Sequence, residues 1–263
     1  MIMPFRYIYG PVYSWRLGAS LGVDPLCGEK KICNLNCNYC QLGKTVNFAS
    51  ERKEYVPVAE LLEEIKRIPS FFIDYITFSG RGEPTLAANL GEMIDAVKSV
   101  RKEKIAVITN SSLMDREDVR NDLMRADFVL AKMDAVNQEM FNCIDGVCGI
   151  DYASVLRGLE KFRRSFKGKF ALQMMLVKDN ITHLQQLSNL AYFLNPHEIQ
   201  LNTPVRRSGE PPLSRDRIER AKKSFAGMPV VTCYDVPAVT GSAMDDKATV
   251  ARHGKFRKSQ YIY

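Results

Sequence analysis

Five short apolar runs, at 74–80, 104–110, 127–133, 170–177 and 198–203, alternate with amphipathic stretches at 58–68, 89–102, 115–126, 151–166 and 182–194. The runs, among them DYITFSG, KIAVITN and FALQMMLV, are short and rich in β-branched and aromatic residues, as strands of a buried parallel sheet are. The intervening stretches, such as VAELLEEIKRI and DYASVLRGLEKFRRSF, each present one apolar stripe able to cover a sheet face. Such alternation implies parallel strands joined by right-handed crossovers, and five or six units suggest an open or partial barrel. Ligands are then expected at the carboxyl ends of the strands. A chain of 263 residues is long enough for one such domain.

Against that frame stands KKICNLNCNYCQLGK at 30–44, with Cys33, Cys37 and Cys40 at spacing C-x3-C-x2-C. Seven cysteines cannot all pair, and metal binding or redox chemistry explains the cluster better than disulfides. A structural zinc site wants four ligands; nothing after Cys40 supplies a matching pair at short spacing, although the distant Cys143, Cys148 or Cys233 can complete one. A ferredoxin-type cluster also wants four thiolates. Three would leave one iron of a four-iron cluster open to a substrate or cofactor, a sign of chemistry rather than scaffolding. A non-catalytic iron–sulfur or zinc protein remains an alternative reading.

The triplet with aromatic Tyr39 before its last cysteine resembles the signature of the radical S-adenosylmethionine (SAM) enzymes. That resemblance implies an α/β fold, a partial (β/α)6 TIM-like barrel of parallel strands with the cysteine loop after its first strand. It implies a [4Fe-4S] cluster on Cys33, Cys37 and Cys40, with SAM chelating the fourth iron. Reduction then cleaves SAM to methionine and a 5′-deoxyadenosyl radical, which abstracts a hydrogen atom from the substrate. FSGRGEPTL at 78–86 is similar to the family's glycine-rich segment that binds the SAM amino group, with Gly80, Gly82 and Glu83 in that role and Arg81 inserted. Glycines let backbone approach a ligand, and a carboxylate accepts from an ammonium. By position after later strands, Asn110, Lys132, Asp134, Gln173 and Asn202 resemble the family's contacts to ribose and carboxylate. The resemblance also implies an electron donor of the flavodoxin or ferredoxin type, which Lys30, Lys31 and Lys44 can steer.

From about Gly10 to Glu210 the chain looks like the subgroup that includes the wybutosine-pathway tRNA enzymes. One departure stands out: the wybutosine-type synthase carries extra upstream cysteines for a second cluster, and this chain has Cys27 alone there. Cys27 suits a loop, and Cys143, Cys148 and Cys233 suit incidental or buried thiols.

The net charge of +7 is concentrated at one end: after 205 there are twelve Lys/Arg against six Asp/Glu. The expected organisation is therefore a core barrel over 1–205 and a basic carboxyl-terminal extension over 206–263. Basic side chains neutralise phosphates and aromatics stack on bases. Arg206, Arg207, Arg252, Lys255, Arg257 and Lys258 are accordingly the expected nucleic-acid contacts, with tRNA as first substrate and a peptide or metabolite as alternative. No apolar run approaches the ~20 residues of a membrane span, and the first ten residues lack a signal-peptide core, so no membrane and a cytoplasmic location are expected.

Overall fold

The computed structural model describes residues 5–46, 48–49, 51–69, 71–147, 149–235 and 242–255. The five expected runs form strands β3 (Tyr75–Phe78), β4 (Lys104–Thr109), β5 (Phe128–Lys132), β6 (Lys169–Met175) and β7 (Glu198–Asn202). Ahead of them lies a hairpin, β1 (Ile8–Ser14) and β2 (Gly18–Val23), and beyond them a short β8 (Val230–Thr232). All eight belong to one sheet in sequence order, parallel from β2 to β8, with β1 antiparallel on the edge. The result is a half-barrel.

Register decides which side chains reach its lumen. In β4 and β5 the pairs Ala106/Phe128 and Ile108/Leu130 alternate with Val107/Val129. Leu17, Ala106, Phe128, Leu130 and Ala171 close on one another inside the curve, whereas Val107, Val129, Leu172 and Met174 join the main core under the helices. Strands buried on both faces read as unbroken apolar runs, which is why their alternation is not visible in the sequence.

The expected helices appear as α1 (Val58–Lys66), α2 (Leu90–Val100), α3 (Glu117–Leu123), α5 (Tyr152–Ser165) and α6 (Leu184–Leu194), joined by α4 (Gln138–Asp145), α7 (Arg215–Lys222) and α8 (Asp246–His253). Caps set several boundaries: Asp151 accepts from Ser154 N before α5, and Asn137 accepts from Met140 N before α4. Such caps contribute about 1 kcal/mol each. Among the described residues no helix is long and apolar enough to cross a membrane.

β8 pairs with β7, and α8 returns to the opposite edge of the sheet, where Gly10 N donates to Thr249 Oγ1 at 3.0 Å and Met244 N to Gly10 O at 2.8 Å. Arg252 Nε lies 2.9 Å from Asp24 Oδ2, with both side chains buried, and its guanidinium sits 5.5 Å from the Tyr9 ring centroid. Removing one member of a buried ion pair strands the other, at about 3–5 kcal/mol. Asp24→Ala should therefore lower stability by that amount, read from the urea unfolding midpoint.

Candidate functional site

A cavity of about 810 Å³ takes its lining from the carboxyl ends of β2 to β7 and from the cysteine loop, within the ~300–1,000 Å³ of small-molecule sites. Cys33, Cys37 and Cys40 share its wall with Tyr39, Gly80, Gly82, Glu83, Asn110, Lys132, Gln173 and Asn202.

The cysteine loop is held by backbone bonds at both ends. Ile32 pairs with Gly82 as a parallel bridge, Ile32 N donating to Arg81 O at 2.9 Å and Glu83 N to Ile32 O at 3.0 Å. A Cβ on residue 82 would lie 1.6 Å from the Ile32 carbonyl oxygen, and one on Gly80, at φ +117°, would lie 2.5 Å from Asp24 Cγ. These glycines are thus needed to bring two loops together. Farther along, Asn36 N and Asn38 N each donate at 2.9 Å to the last carbonyls of α4, those of Asp145 and Ile144.

Glu83, 1% exposed, turns its carboxylate inward. Its Oε1 accepts from Thr85 Oγ1 at 2.7 Å and Thr109 Oγ1 at 2.6 Å, and its Oε2 from Asn110 N at 2.6 Å. Burial pushes the carboxyl pKa up, against the pull of these donors. Glu83 therefore joins the end of β3 to the end of β4, and this is the work its geometry shows.

Asn110 Nδ2 approaches Cys33 Sγ at 3.6 Å and Asn34 Oδ1 at 3.0 Å, while Leu35 N lies 3.4 Å from the same sulfur. Lys132 Nζ lies 3.8 Å from Cys37 Sγ. Burial raises the Cys33 thiol, and raises that of Cys37 well above its ordinary value. Bound metal displaces such protons outright, and N–H donors aimed at sulfur suit thiolate ligands. Among the described residues no three His, Cys, Asp or Glu side chains gather as on a single ion.

The other expected residues divide. Gln173 lines the cavity and accepts from Arg16 Nη1 at 2.9 Å, and the Asn202 side chain accepts from Thr203 N at 2.9 Å. Arg81 turns away: its guanidinium donates to the carbonyls of Gly28 and Glu29 at 2.9 and 3.0 Å, outside the cavity lining. Asp134 is fully buried beneath Tyr39 and Lys132 and does not line the cavity either. Both side chains, outside the cavity lining, are engaged by partners within the protein.

Two expected phosphate contacts also turn inward. Arg252 forms the buried pair with Asp24, and Arg206, 8% exposed, donates to Gln41 Oε1 at 2.9 Å and approaches His253 Nε2 at 2.5 Å. Both also line the cavity. Arg207 and Lys255 are exposed and adjacent, Arg207 N donating to Lys255 O at 2.9 Å, while Arg257, Lys258 and Cys148 lie outside the described residues. Cys27 donates to Arg6 O at 3.1 Å, Cys143 is exposed on α4, and Cys233 lines the cavity with its thiol pushed by burial to about 12.

Sequence reasoning missed Asn34, Arg16, Asp145 and His253. Asn34 sits beside Cys33 in the cysteine loop, but its partners Asn110 and Ser112 are more than seventy residues away; Arg16, Asp145 and His253 reach the site from elements distant in sequence.

Residues 31–191 match the Radical SAM superfamily. A UPF0026 protein of Synechocystis sp. is 37% identical over 215 residues, covering 81% of this chain and 79% of that protein. The UPF0026 protein of Methanocaldococcus jannaschii is 35% identical over 226 residues, covering 83% and 70%. Two solved structures share the fold: TYW1 with a lysine-pyruvate adduct bound (TM-score 0.61, 15% identity, 81% of this chain and 76% of that one) and Streptococcus suis SuiB bound to precursor peptide SuiA (TM-score 0.63, 12% identity, 86% and 54%).

Two outcomes follow from this geometry. Glu83→Ala should cost about 3 kcal/mol in chemical denaturation, since it leaves buried donors at two strand ends without their acceptor. Burial, then Arg206 and Arg16, hold the His253 pKa well below its ordinary value. As pH falls below the unfolded value of ~6.5, the unfolded chain takes up a proton that the folded state refuses, so stability is lost on acidification. The unfolding free energy of His253→Gln, from urea titrations, should fall less between pH 7 and pH 5 than that of the unsubstituted chain, by up to ~1.4 kcal/mol per pH unit.

Proposed function

The chain belongs to the radical SAM superfamily, an enzyme family that implies an iron–sulfur cluster and SAM, and on that premise we propose that Cys33, Cys37 and Cys40 bind a [4Fe-4S] cluster beside SAM. The observation that carries this reading is the joining of the cysteine loop and the Gly80–Gly82–Glu83 turn, through Ile32, into one hydrogen-bonded wall of one cavity. The chemistry supplied by the bound pair is one-electron reductive cleavage of SAM to methionine and a 5′-deoxyadenosyl radical, which abstracts a hydrogen atom from the substrate. This chain's part is to position and to enclose. Backbone at Gly80 and Gly82 receives the ammonium of SAM, and Glu83 fixes that backbone through Thr109 and Asn110. Asn110, Gln173 and Asn202 offer polar atoms to ribose and carboxylate from successive strand ends.

The reductant is a small acidic one-electron carrier of the flavodoxin or ferredoxin type. Val46 and Phe48 are 76% and 45% exposed, Phe48 pairs with Cys33 as a backbone bridge, and Lys30 and Lys44 are exposed beside them. An apolar spot with a basic rim this close to a cluster ligand suits such a partner.

For the substrate the reading is a tRNA base or its modified substituent, supported by the basic composition after 205 and by the exposed Arg207 and Lys255. The inward turn of Arg206 and Arg252 favours a second reading, in which the same radical acts on a peptide side chain or small metabolite.

The deciding assay is anaerobic: iron and sulfide reconstitution, dithionite and SAM, with 5′-deoxyadenosine quantified with and without bulk tRNA. A yield raised by tRNA supports the first substrate, and an unresponsive yield moves the search to peptides and metabolites. Cys37→Ala should lose the cluster and the product to background while circular dichroism stays unchanged. A four-iron signal with undiminished product in that variant would sink the assignment.

A further inference from the structure

The cysteine loop rests on a buried charged network. Lys132 ends β5, Asp134 lies two residues beyond, and Asp145 ends α4 directly beneath the loop, its backbone carbonyl receiving Asn36 N. Lys132 Nζ lies 3.1 Å from Asp134 Oδ2, pairs with Asp145 Oδ1, and sits 5.5 Å from the Tyr39 ring centroid. Tyr39 OH donates to Asp134 and, at 3.3 Å, to Asp145. The side chains of Lys132, Asp134 and Asp145 are 13%, 0% and 1% exposed. Asp134 is fixed from its other side by Met175 N at 2.7 Å. Burial pulls the Lys132 ammonium down, but the two carboxylates outweigh it and hold it protonated, well above the ordinary lysine value.

A buried ionic group of this kind adds little stability over an apolar packing of equal volume. What it does place is a fixed ammonium 3.8 Å from Cys37 Sγ. We propose that Lys132 is a positioning residue for electron entry: held by Asp134 and Asp145, its ammonium donates to the Cys37 thiolate and raises the reduction potential of the cluster bound there. The proposal rests on the reading that Cys33, Cys37 and Cys40 hold that cluster. Reduction takes one electron from the external reductant, which is oxidised by one electron, and adds one negative charge to the cluster and its cysteinates. A cation at this range stabilises the added charge, and hydrogen bonds to sulfur together with local net charge are what set such potentials. The carboxylates work the other way. Asp145 draws the ammonium's charge towards itself, so the network is a balance whose halves have opposite signs.

The test is a redox titration by electron paramagnetic resonance, without SAM, of the reconstituted protein and of Lys132→Met, Lys132→Arg and Asp145→Asn. At the midpoint potential of the unsubstituted protein, the reduced-to-oxidised ratio should fall about tenfold in Lys132→Met, equal to ~59 mV for a one-electron couple. It should rise severalfold in Asp145→Asn and return towards the parent value in Lys132→Arg. A purely structural role would lower cluster occupancy and melting temperature without moving the potential in opposite directions. Unchanged potentials in the loaded variants overturn the proposal. If Lys132→Met fails to hold a cluster, Asp145→Asn decides alone, and an unchanged or lowered potential there overturns it. Failure of the unsubstituted protein to load any cluster would instead remove the reading beneath it.

Discussion

One backbone bridge, between Ile32 and Gly82, organises everything around the cavity. Cys33 follows Ile32 directly, so the first cysteine is located by the turn after β3 and not by its own loop alone. The contact is tight enough to demand glycine, since any Cβ at 82 would overlap the Ile32 carbonyl. Glu83 carries the constraint onward to Thr109 and Asn110 at the end of β4, and Asn110 returns it to Cys33 and Asn34. The cysteine loop and two strand ends thus form a closed hydrogen-bonded circuit. Hydrogen bonds made in low dielectric are individually stronger and costly to leave unmade, which makes such a circuit stiff.

The sheet supplies the other half of the site. Lumen-facing positions are apolar where Leu17, Ala106, Phe128, Leu130 and Ala171 pack, and polar where Thr77, Gln173 and Asn202 face the cavity. Among the described residues lining the cavity the one carboxylate is Glu83, and it is already engaged. Acidic groups near the cysteines lie one layer deeper, as Asp134 and Asp145, paired with Lys132. The cavity wall is therefore largely apolar, with polar groups at the strand ends and no free acid, and charge is kept where neighbouring groups compensate it.

Charge composition after residue 205 does not separate buried from exposed arginines. An excess of positive charge there suggests a phosphate-binding extension; within it Arg206 and Arg252 direct their guanidinium groups to Gln41, His253 and Asp24, pinning α8 across the edge of the sheet. A count of charges carries no address. Arginine's planar fork suits buried pairing as well as phosphate, and only the packed structure says which role a given arginine fills.

The sequence by itself determined the alternation of strands and helices, the parallel sheet and the cysteine triplet, because these depend on local propensity, periodicity and spacing along the chain. It also located the glycine turn at a strand end. It did not reveal β1, β2 or β8: GASLGV is rich in glycine and serine, and a three-residue strand has no periodicity to detect. Tertiary structure alone decided that Glu83 faces inward, that Arg81 faces away, and that Lys132 and Asp134 lie beneath Cys37 beside Asp145. Those outcomes depend on contacts between residues separated by tens of positions, such as Ile32 with Gly82 or Lys132 with Cys37. Which of several polar partners a buried side chain takes is settled by distance and desolvation, and neither is written in any local stretch of the chain.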